Sequence, residues 1–321
     1  MSRIFAGFLG LFLLLTGYAG TASAQAEAGA QSLLIAPGAR SDGMGRASVA
    51  LASDANAVWW NPGALAFVTG RDAAFMYTKL VPDLADDVFF SYMSYAQHVE
   101  GWGGIGASLG YLSYGKSIAT DVDGNELGTF TSYEIAPTIA YGTEIMKDMG
   151  FGVSLKLVRV DLAPADKTQD RAAGRGTTFA ADLGGLYKLP KWKTSVGMAI
   201  QNLGPNISYI DADQSDPLGR NVKFGVAVAP VETEQYRVMI AADVNKSLLT
   251  NGAWIENVGG EFEFNRLLAL RVGYINDPRG TIQDLTYGLG LGYHGIRLDY
   301  ASVPQSEFLD RVYRFSASYH F

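Results

Sequence analysis

Apolar and polar side chains alternate along most of the chain downstream of residue 70. The alternation falls into about fourteen segments of about ten residues each, and period two with one apolar face predicts β-strands. In the last segment Tyr313, Phe315 and Tyr319 share one face, and Arg314 and His320 share the other. The predicted strands lie near residues 71–80, 88–97, 103–114, 129–141, 151–160, 177–188, 193–202, 221–229, 236–245, 255–264, 267–275, 285–293, 296–303 and 311–321.

A transmembrane antiparallel β-barrel over residues 71–321 explains this pattern better than a soluble β-sandwich, which also alternates. About ten residues is the length that a tilted strand needs to cross a bilayer, and bacterial barrels have an even number of strands. The apolar faces often end in Tyr or Phe, as interfacial girdles do. The final strand, with Tyr319 and Phe321, is typical of the assembly signal of outer-membrane proteins.

Charged residues recur at mid-strand opposite the apolar face, where a barrel has a polar lumen. Two interpretations are open: these charges line a substrate path, or they pair with one another and with material that fills the lumen. A barrel of this size has an open channel unless something fills it, which favours pairing. The predicted lumenal charges are Glu134, Lys156, Asp182, Lys223, Asp243, Glu261, Arg271, Arg297, Asp299 and Arg314.

The stretch from residue 32 to residue 67 does not alternate. It is rich in Gly and Ala, and its Trp59-Trp60 pair runs directly into Asn61-Pro62. Small residues with a few large anchors can pack closely inside a larger structure. We therefore predict that residues 25–70 form a plug within the barrel lumen.

The first 24 residues have the features of a secretory signal peptide. Arg3 precedes an apolar run over residues 4–15, and Ala22-Ser23-Ala24 forms an A-x-A cleavage site. The run is shorter than the roughly 20 residues that a membrane-spanning helix needs. Export with cleavage after residue 24, and residence in the outer membrane with its lipid around the barrel, are the expected outcome.

Composition and motifs argue against nucleic-acid binding and against catalysis. The formal net charge is −7, so the basic surface of a nucleic-acid-binding protein is absent, and there is no cysteine. The three histidines, His98, His294 and His320, stand in no metal or Ser/His motif, which disfavours a lipid-modifying barrel enzyme. We expect no enzyme activity, no cofactor and no metal.

Two short motifs suggest chemistry that their surroundings do not support. Residues 121–126 read Asp-Val-Asp-Gly-Asn-Glu, but an EF-hand needs Gly at position 6 and Glu at position 12, where Glu126 and Ser132 stand. We interpret this stretch as an acidic extracellular loop that can receive a basic partner. Residues 101–106 are Gly-rich, but they open a strand with no helix after it, so a nucleotide site is not indicated.

Several motifs together resemble the PorV/PorQ family of FadL-like outer-membrane barrels. They are Gly38-Ala39-Arg40, Gly43-Met44-Gly45, and the run from Ala47 to Asn61-Pro62, with residues 124–130, 200–205, 314–316 and 319–321 in support. Departures from the family pattern are Arg46 in place of Gly, Gly63-Ala64 in place of Ala-Gly, and Ser53 where an acidic residue is common.

The resemblance implies a fourteen-strand barrel with an N-terminal plug, acting in type IX protein secretion. Its partners would be exported cargo proteins and other secretion-system subunits, and Arg40 would pair with an inward carboxylate such as Asp243 or Glu261. The alternative is a FadL-like transporter of hydrophobic small molecules, for which Pro137 is a possible strand kink that opens the wall. The implied plug anchors are Arg40, Gly43, Met44, Gly45, Trp59, Trp60, Asn61 and Pro62.

Overall fold

Strands that pair with their chain neighbours close into one antiparallel barrel, which confirms the predicted fold class. The computed structural model describes residues 28–51, 54–167, 173–210, 215–249, 253–278, 280, 282–305 and 310–321, so the predicted signal peptide lies outside the described residues. Within these ranges fourteen strands form the wall, and β1 pairs with β16 to complete the circle.

The first seven wall strands are β1 (Arg71–Lys79), β2 (Val88–Val99), β3 (Gly103–Thr120), β4 (Glu126–Met146), β5 (Met149–Ala163), β6 (Gly174–Leu189) and β7 (Thr194–Leu203). Two short strands, β8 (Ile207–Ser208) and β9 (Ser215–Asp216), pair with each other outside the wall. The wall continues with β10 (Asn221–Glu232), β11 (Tyr236–Ser247), β12 (Ile255–Phe264), β13 (Leu268–Asp277), β14 (Ile282–Tyr293), β15 (Ile296–Val303) and β16 (Val312–His320).

Strand ends differ from the prediction mainly on the side of the barrel where the longer loops lie, here called the long-loop end. Strands β12 and β15 have their predicted bounds, but β3 and β4 extend well past theirs. Residues 116–120 of β3 pair with residues 126–131 of β4 and form a ribbon beyond the rim. Most ribbon side chains are exposed, so no apolar face marks this extension in the sequence.

The outward face of the wall carries the aromatic rows expected of a membrane barrel. Tyr77, Phe89, Tyr111 and Tyr133 lie side by side on β1 to β4, with successive ring centroids 5.4, 5.9 and 5.9 Å apart. Such amphipathic rings favour the boundary between hydrocarbon and headgroups. No helix in the described part of the chain is long and apolar enough to cross a membrane.

We call residues 28–51 and 54–70 the N-terminal segment. It contains two short helices, α1 (Ala39–Gly43) and α2 (Ala57–Trp60). Turns of 3₁₀ helix cover Gln31–Leu34 and Pro62–Phe67. Asn61 caps the second turn by accepting a hydrogen bond from the Gly63 amide, and Pro62 occupies its first position, where no amide is needed. These breaks fold the segment into a compact, mostly buried mass.

The N-terminal segment packs against the inward faces of strands on opposite sides of the wall. Met44, Val58 and Leu65 are fully buried in one apolar cluster with Met76 and Phe90 of the wall. Small residues make the closest contacts: a Cβ added to Gly43 would lie 2.9 Å from the Cα of Gly288. The Gly/Ala-rich composition therefore permits direct backbone contact with the wall.

Candidate functional site

The predicted lumenal charges lie on inward-facing positions of the strands. Nine of the ten are buried, and Arg297 is partly exposed. A buried charge costs free energy unless a partner or hydrogen bonds compensate it, so the partners of these groups decide what the site can do. They separate into groups that contact the N-terminal segment and one group confined to the wall.

Arg40 pairs with Glu261, one of the two carboxylates that the sequence left open. Its guanidinium donates through Nη2 and Nε at 2.8 and 2.9 Å, and the attraction of Glu261 raises the Arg40 pKa above its ordinary value despite burial. Arg271 donates to Glu261 at 2.6 Å and to Asp299 at 2.7 Å. We call Arg40, Glu261, Arg271 and Asp299 the paired cluster.

A second contact between segment and wall centres on Asp42, which the sequence analysis missed. Arg314 approaches one oxygen of Asp42 at 3.0 Å, and Arg46 donates to the other at 3.1 Å. Arg314 also donates to the Ala36 carbonyl at 2.8 Å. A signal was present, because Asp42 is the acidic residue within the small-residue motif that begins at Gly38.

Two wall carboxylates hold the segment through its backbone instead. Asp243 Oδ2 accepts hydrogen bonds from the Ser48 and Val49 amides at 2.7 and 2.9 Å. Glu134 accepts from the Gln31 and Ser32 amides at 3.0 and 2.7 Å. Charge-assisted bonds to amides are stronger than neutral ones, so both carboxylates position the segment through its backbone.

Lys156 and Asp182 form the group confined to the wall. Their ion pair is 2.8 Å long, and Lys156 also donates to the Asn202 side chain at 2.7 Å. The Asn202 amide and the Ser154 hydroxyl donate to Asp182. These groups satisfy one another across β5, β6 and β7, which indicates a structural role.

The Trp59-Trp60-Asn61 run fastens the centre of the segment. The Trp60 indole donates to the Pro37 carbonyl at 3.0 Å, and the two indole rings meet edge to face at 4.7 Å. The Asn61 side chain donates to Val49 of the segment and to Gly185 of β6, each at 2.9 Å. The bonds to Pro37 and Val49 tie distant parts of the segment together, and the bond to Gly185 ties the segment to the wall.

A cavity of about 670 Å³ lies between the segment and strands β10 to β13, toward the long-loop end. Lys223, Asp243, Trp59 and Trp60 are among the residues that line it. A second space of about 20 Å³ lies beside α1, and Trp60 borders both. The lining of the larger cavity combines five charged residues with apolar ones such as Leu34, Ile255 and Ile275.

Pro137 interrupts the pairing of β4 with β5 without shifting its register. It stands opposite Leu109 of β3, but against β5 the pairs of the described residues go from Ile135–Arg159 directly to Thr138–Lys156. At the closure of the barrel, the Tyr319 and Phe321 rings stack with centroids 5.1 Å apart. The Arg71 amide donates to the Phe321 carbonyl there at 3.0 Å.

The acidic loop over residues 121–126 forms the tip of the β3–β4 ribbon. Asp121 accepts hydrogen bonds from the side chain and the amide of Asn125, which lower the Asp121 pKa below its ordinary value. The Asp121 side chain therefore stabilises the turn, whereas the side chains of Asp123 and Glu126 are exposed. Among the residues that the structure describes, no group of three or more His, Cys, Asp or Glu side chains is placed to hold a metal.

The sequence matches a family model described as "Type IX secretion system protein PorV" over residues 22–253. The structure is similar to the Pseudomonas putida toluene transporter TodX, with 16% identity, a TM-score of 0.57, and 88% of this chain and 96% of that chain covered. It is also similar to the Ralstonia pickettii toluene transporter TbuX, with 14% identity, a TM-score of 0.57, and 88% of this chain and 97% of that chain covered. No curated protein matches the sequence.

A further structural relative is the CymD monoaromatic hydrocarbon channel, with 14% identity and a TM-score of 0.58. The alignment covers 88% of this chain and 96% of that chain. Identities this low show a shared FadL-like barrel architecture and nothing about the compound carried.

Proposed function

Because the chain belongs to the family of type IX secretion system protein PorV, we propose that it is an outer-membrane barrel that receives exported proteins and passes them toward the cell surface. The family match over residues 22–253 is the observation that carries this proposal. In this proposal the long-loop end faces the outside of the cell, and outer-membrane lipid surrounds the aromatic rows. Cargo proteins and other secretion subunits are the partners.

The N-terminal segment acts as a plug in this proposal. It is held by ion pairs, by amides bound to carboxylates, and by backbone contacts at Gly43. A lumen occupied in this way offers no path for a polypeptide. Cargo therefore binds on the rim, and the β3–β4 ribbon, which projects furthest along the wall, is the surface we assign to it.

The acidic character of this rim favours a basic partner surface. Asp123 and Glu126 are exposed at the tip of the ribbon, and the neighbouring β1–β2 loop adds Asp83 and Asp87. Like charges grouped on one surface steer oppositely charged partners toward it.

The experiment is affinity purification from detergent-solubilised outer membranes, followed by mass spectrometry of the copurifying proteins. We expect exported proteins that share a C-terminal domain, or other secretion subunits. The double variant Asp123→Asn with Glu126→Gln should recover less cargo. The matched control is Glu100→Gln with Glu234→Gln, which removes the same charge at exposed positions of the opposite, short-turn end.

A transporter of hydrophobic small molecules is the second candidate, and the similarity to TodX and TbuX favours it. The gap in the β4–β5 pairing at Pro137 also favours it, whereas the charged residues that line the large cavity weigh against it. Recovery of the barrel alone, with fatty or aromatic compounds in the extract, would contradict the secretion proposal and support transport.

A further inference from the structure

Three cationic side chains line the large cavity, and each has N–H groups without a partner among the described residues. The first is Lys223, whose ammonium lies over the Trp59 and Trp60 rings, 4.1 and 4.6 Å from their centroids. Within the described ranges its Nζ has no ion pair and no hydrogen bond, and it is not closed off from solvent. The other two cations are Arg46 and Arg220.

The two arginines use only part of their guanidinium groups for contacts within the protein. Arg46 donates through Nε to Asp42 at 3.1 Å, and Arg220 donates through Nη2 to the Gly204 carbonyl at 2.9 Å. Both Nη atoms of Arg46 and the Nη1 of Arg220 make no hydrogen bond in the described part of the chain, and they stay accessible. The Arg220 Nε is buried and is out of reach of a ligand.

The carboxylates near the cavity do not match these donors. Asp42 is shared between Arg46 and Arg314. Asp243 lines the cavity, but its Oδ2 already accepts from two amides and its Oδ1 is closed off from solvent. Asp277, at the end of β13, accepts a hydrogen bond from a loop amide at 3.1 Å. The accessible groups of the described lining are therefore mainly donors with positive charge.

Burial makes this imbalance costly. The exposed fraction of Lys223 is 6%, and a buried charge without a counter-charge costs more free energy than an exposed one. The protein therefore gains if a bound anion compensates the cations. Because all three cations line one cavity, the acidic groups of one molecule can reach them.

We propose that this cavity binds a small sugar phosphate, with its phosphate groups toward Lys223, Arg46 and Arg220. A phosphate group offers three acceptor oxygens and up to two negative charges, so it can accept from several side chains at once. A hydrocarbon or a cation would leave the three side chains uncompensated. The proposal is independent of the secretion function, because it concerns the lumen and not the rim.

The rest of the lining suits the sugar. The volume, about 670 Å³, lies within the range of small-molecule sites. Gln31, Asn245 and Ser247 add neutral polar groups that can bind hydroxyl groups, and Ile255 and Ile275 offer apolar surface to a sugar ring. The ligand would enter from the long-loop end.

The test uses the purified full-length barrel in a nonionic detergent and calorimetric titration at neutral pH. The probes are fructose 1,6-bisphosphate, glucose 6-phosphate and fructose, which have two, one and no phosphate groups. We expect saturable binding of the bisphosphate, binding of the monophosphate that is weaker by about 10-fold, and no binding of fructose. No binding of the bisphosphate up to about 10 mM, or equal binding of all three compounds, would overturn the proposal.

Variants then test whether the three cations hold the phosphate groups. Lys223→Met, Arg46→Met and Arg220→Met should each weaken binding of the bisphosphate by about 10-fold or more, because each removes a charged donor. The gel shift between heated and unheated samples shows that each variant is folded.

The matched control is Lys246→Met. Lys246 also lies over an indole ring, 5.8 Å from the Trp254 centroid, but it does not line the cavity. Its loss should leave binding of the bisphosphate unchanged. If Lys246→Met weakens binding as much as Lys223→Met, the bisphosphate responds only to the overall charge of the barrel and the proposed site is wrong.

Discussion

The paired cluster and the region around Lys223 and Asp243 use similar residues on neighbouring strands, but the N-terminal segment brings different groups to each. In the paired cluster, Arg40 of the segment and Arg271 of the wall both bind Glu261, and Arg271 continues to Asp299. Around Lys223 and Asp243, the segment brings indole rings to Lys223 and backbone amides to Asp243. The first region borders a space of about 20 Å³, and the second borders a cavity of about 670 Å³.

The difference shows that lumenal charges in one barrel can have two kinds of surroundings. Where the segment supplies a guanidinium, the charges hold segment and wall together. Where it supplies rings and amides, Lys223 and Asp243 lie at the wall of the large cavity. The same distinction predicts unequal effects of charge removal on stability.

The largest loss is expected for Arg271→Met in the paired cluster. The change leaves Asp299 without its closest buried partner and weakens the compensation of Glu261, which costs about 3–5 kcal/mol. The measurement is the fraction of folded barrel in rising urea, read from the gel shift between heated and unheated samples. The control is Arg237→Met, a partly exposed arginine whose ion pair with Glu232, 3.5 Å long, should contribute little. A loss below about 1 kcal/mol for Arg271→Met would contradict the role of the cluster.

Gly45→Ala tests whether close contact, in addition to charge, holds the segment in place. Gly45 has a φ of +63°, and an added Cβ would lie 2.6 Å from the Val258 carbonyl oxygen. We expect a loss of about 1–3 kcal/mol and faster proteolysis of the segment. Gly101→Ala is the control for backbone strain alone, since its φ is +76° with no atom within 4 Å of the added Cβ. Equal effects would show that crowding is unimportant.

Asp243→Asn should destabilise the barrel less than Glu261→Gln does. The new amide oxygen can still accept from Ser48 and Val49, so only the charge-assisted part of these bonds is lost, about 1 kcal/mol. Glu261→Gln leaves two arginines without their shared anion and should cost about 3 kcal/mol. Both variants are compared in the urea assay, and the reverse order would remove the distinction between the regions.

The smallest effect is expected for Lys223→Met. No ion pair is lost among the described residues, and the loss of the cation–π contact is offset because a buried charge no longer has to be desolvated. Stability should stay within about 1 kcal/mol of the wild type. A loss as large as that of Arg271→Met would mean that Lys223 has a partner of equal importance.

The alternation along the chain was sufficient to predict the wall. Each predicted strand has a counterpart, and the inward position of Glu261 follows from its alternation with Phe262 on β12. Such a prediction succeeds because one face of a membrane strand contacts lipid and the other faces the lumen. Each strand therefore has an alternating pattern that can be recognised from its own residues. The β3–β4 ribbon was missed because both of its faces are exposed, so its apolar and polar residues do not alternate.

The partners of the lumenal charges were decided only by the tertiary structure. From the sequence, Asp243 and Glu261 were both possible partners of Arg40, and no role was predicted for Asp42. Arg40 and Glu261 are 221 positions apart, and their meeting depends on the path of a segment without periodicity through a closed wall. Strand register and backbone contacts at Gly43 and Gly45 determine that path, and neither leaves a local pattern in the chain.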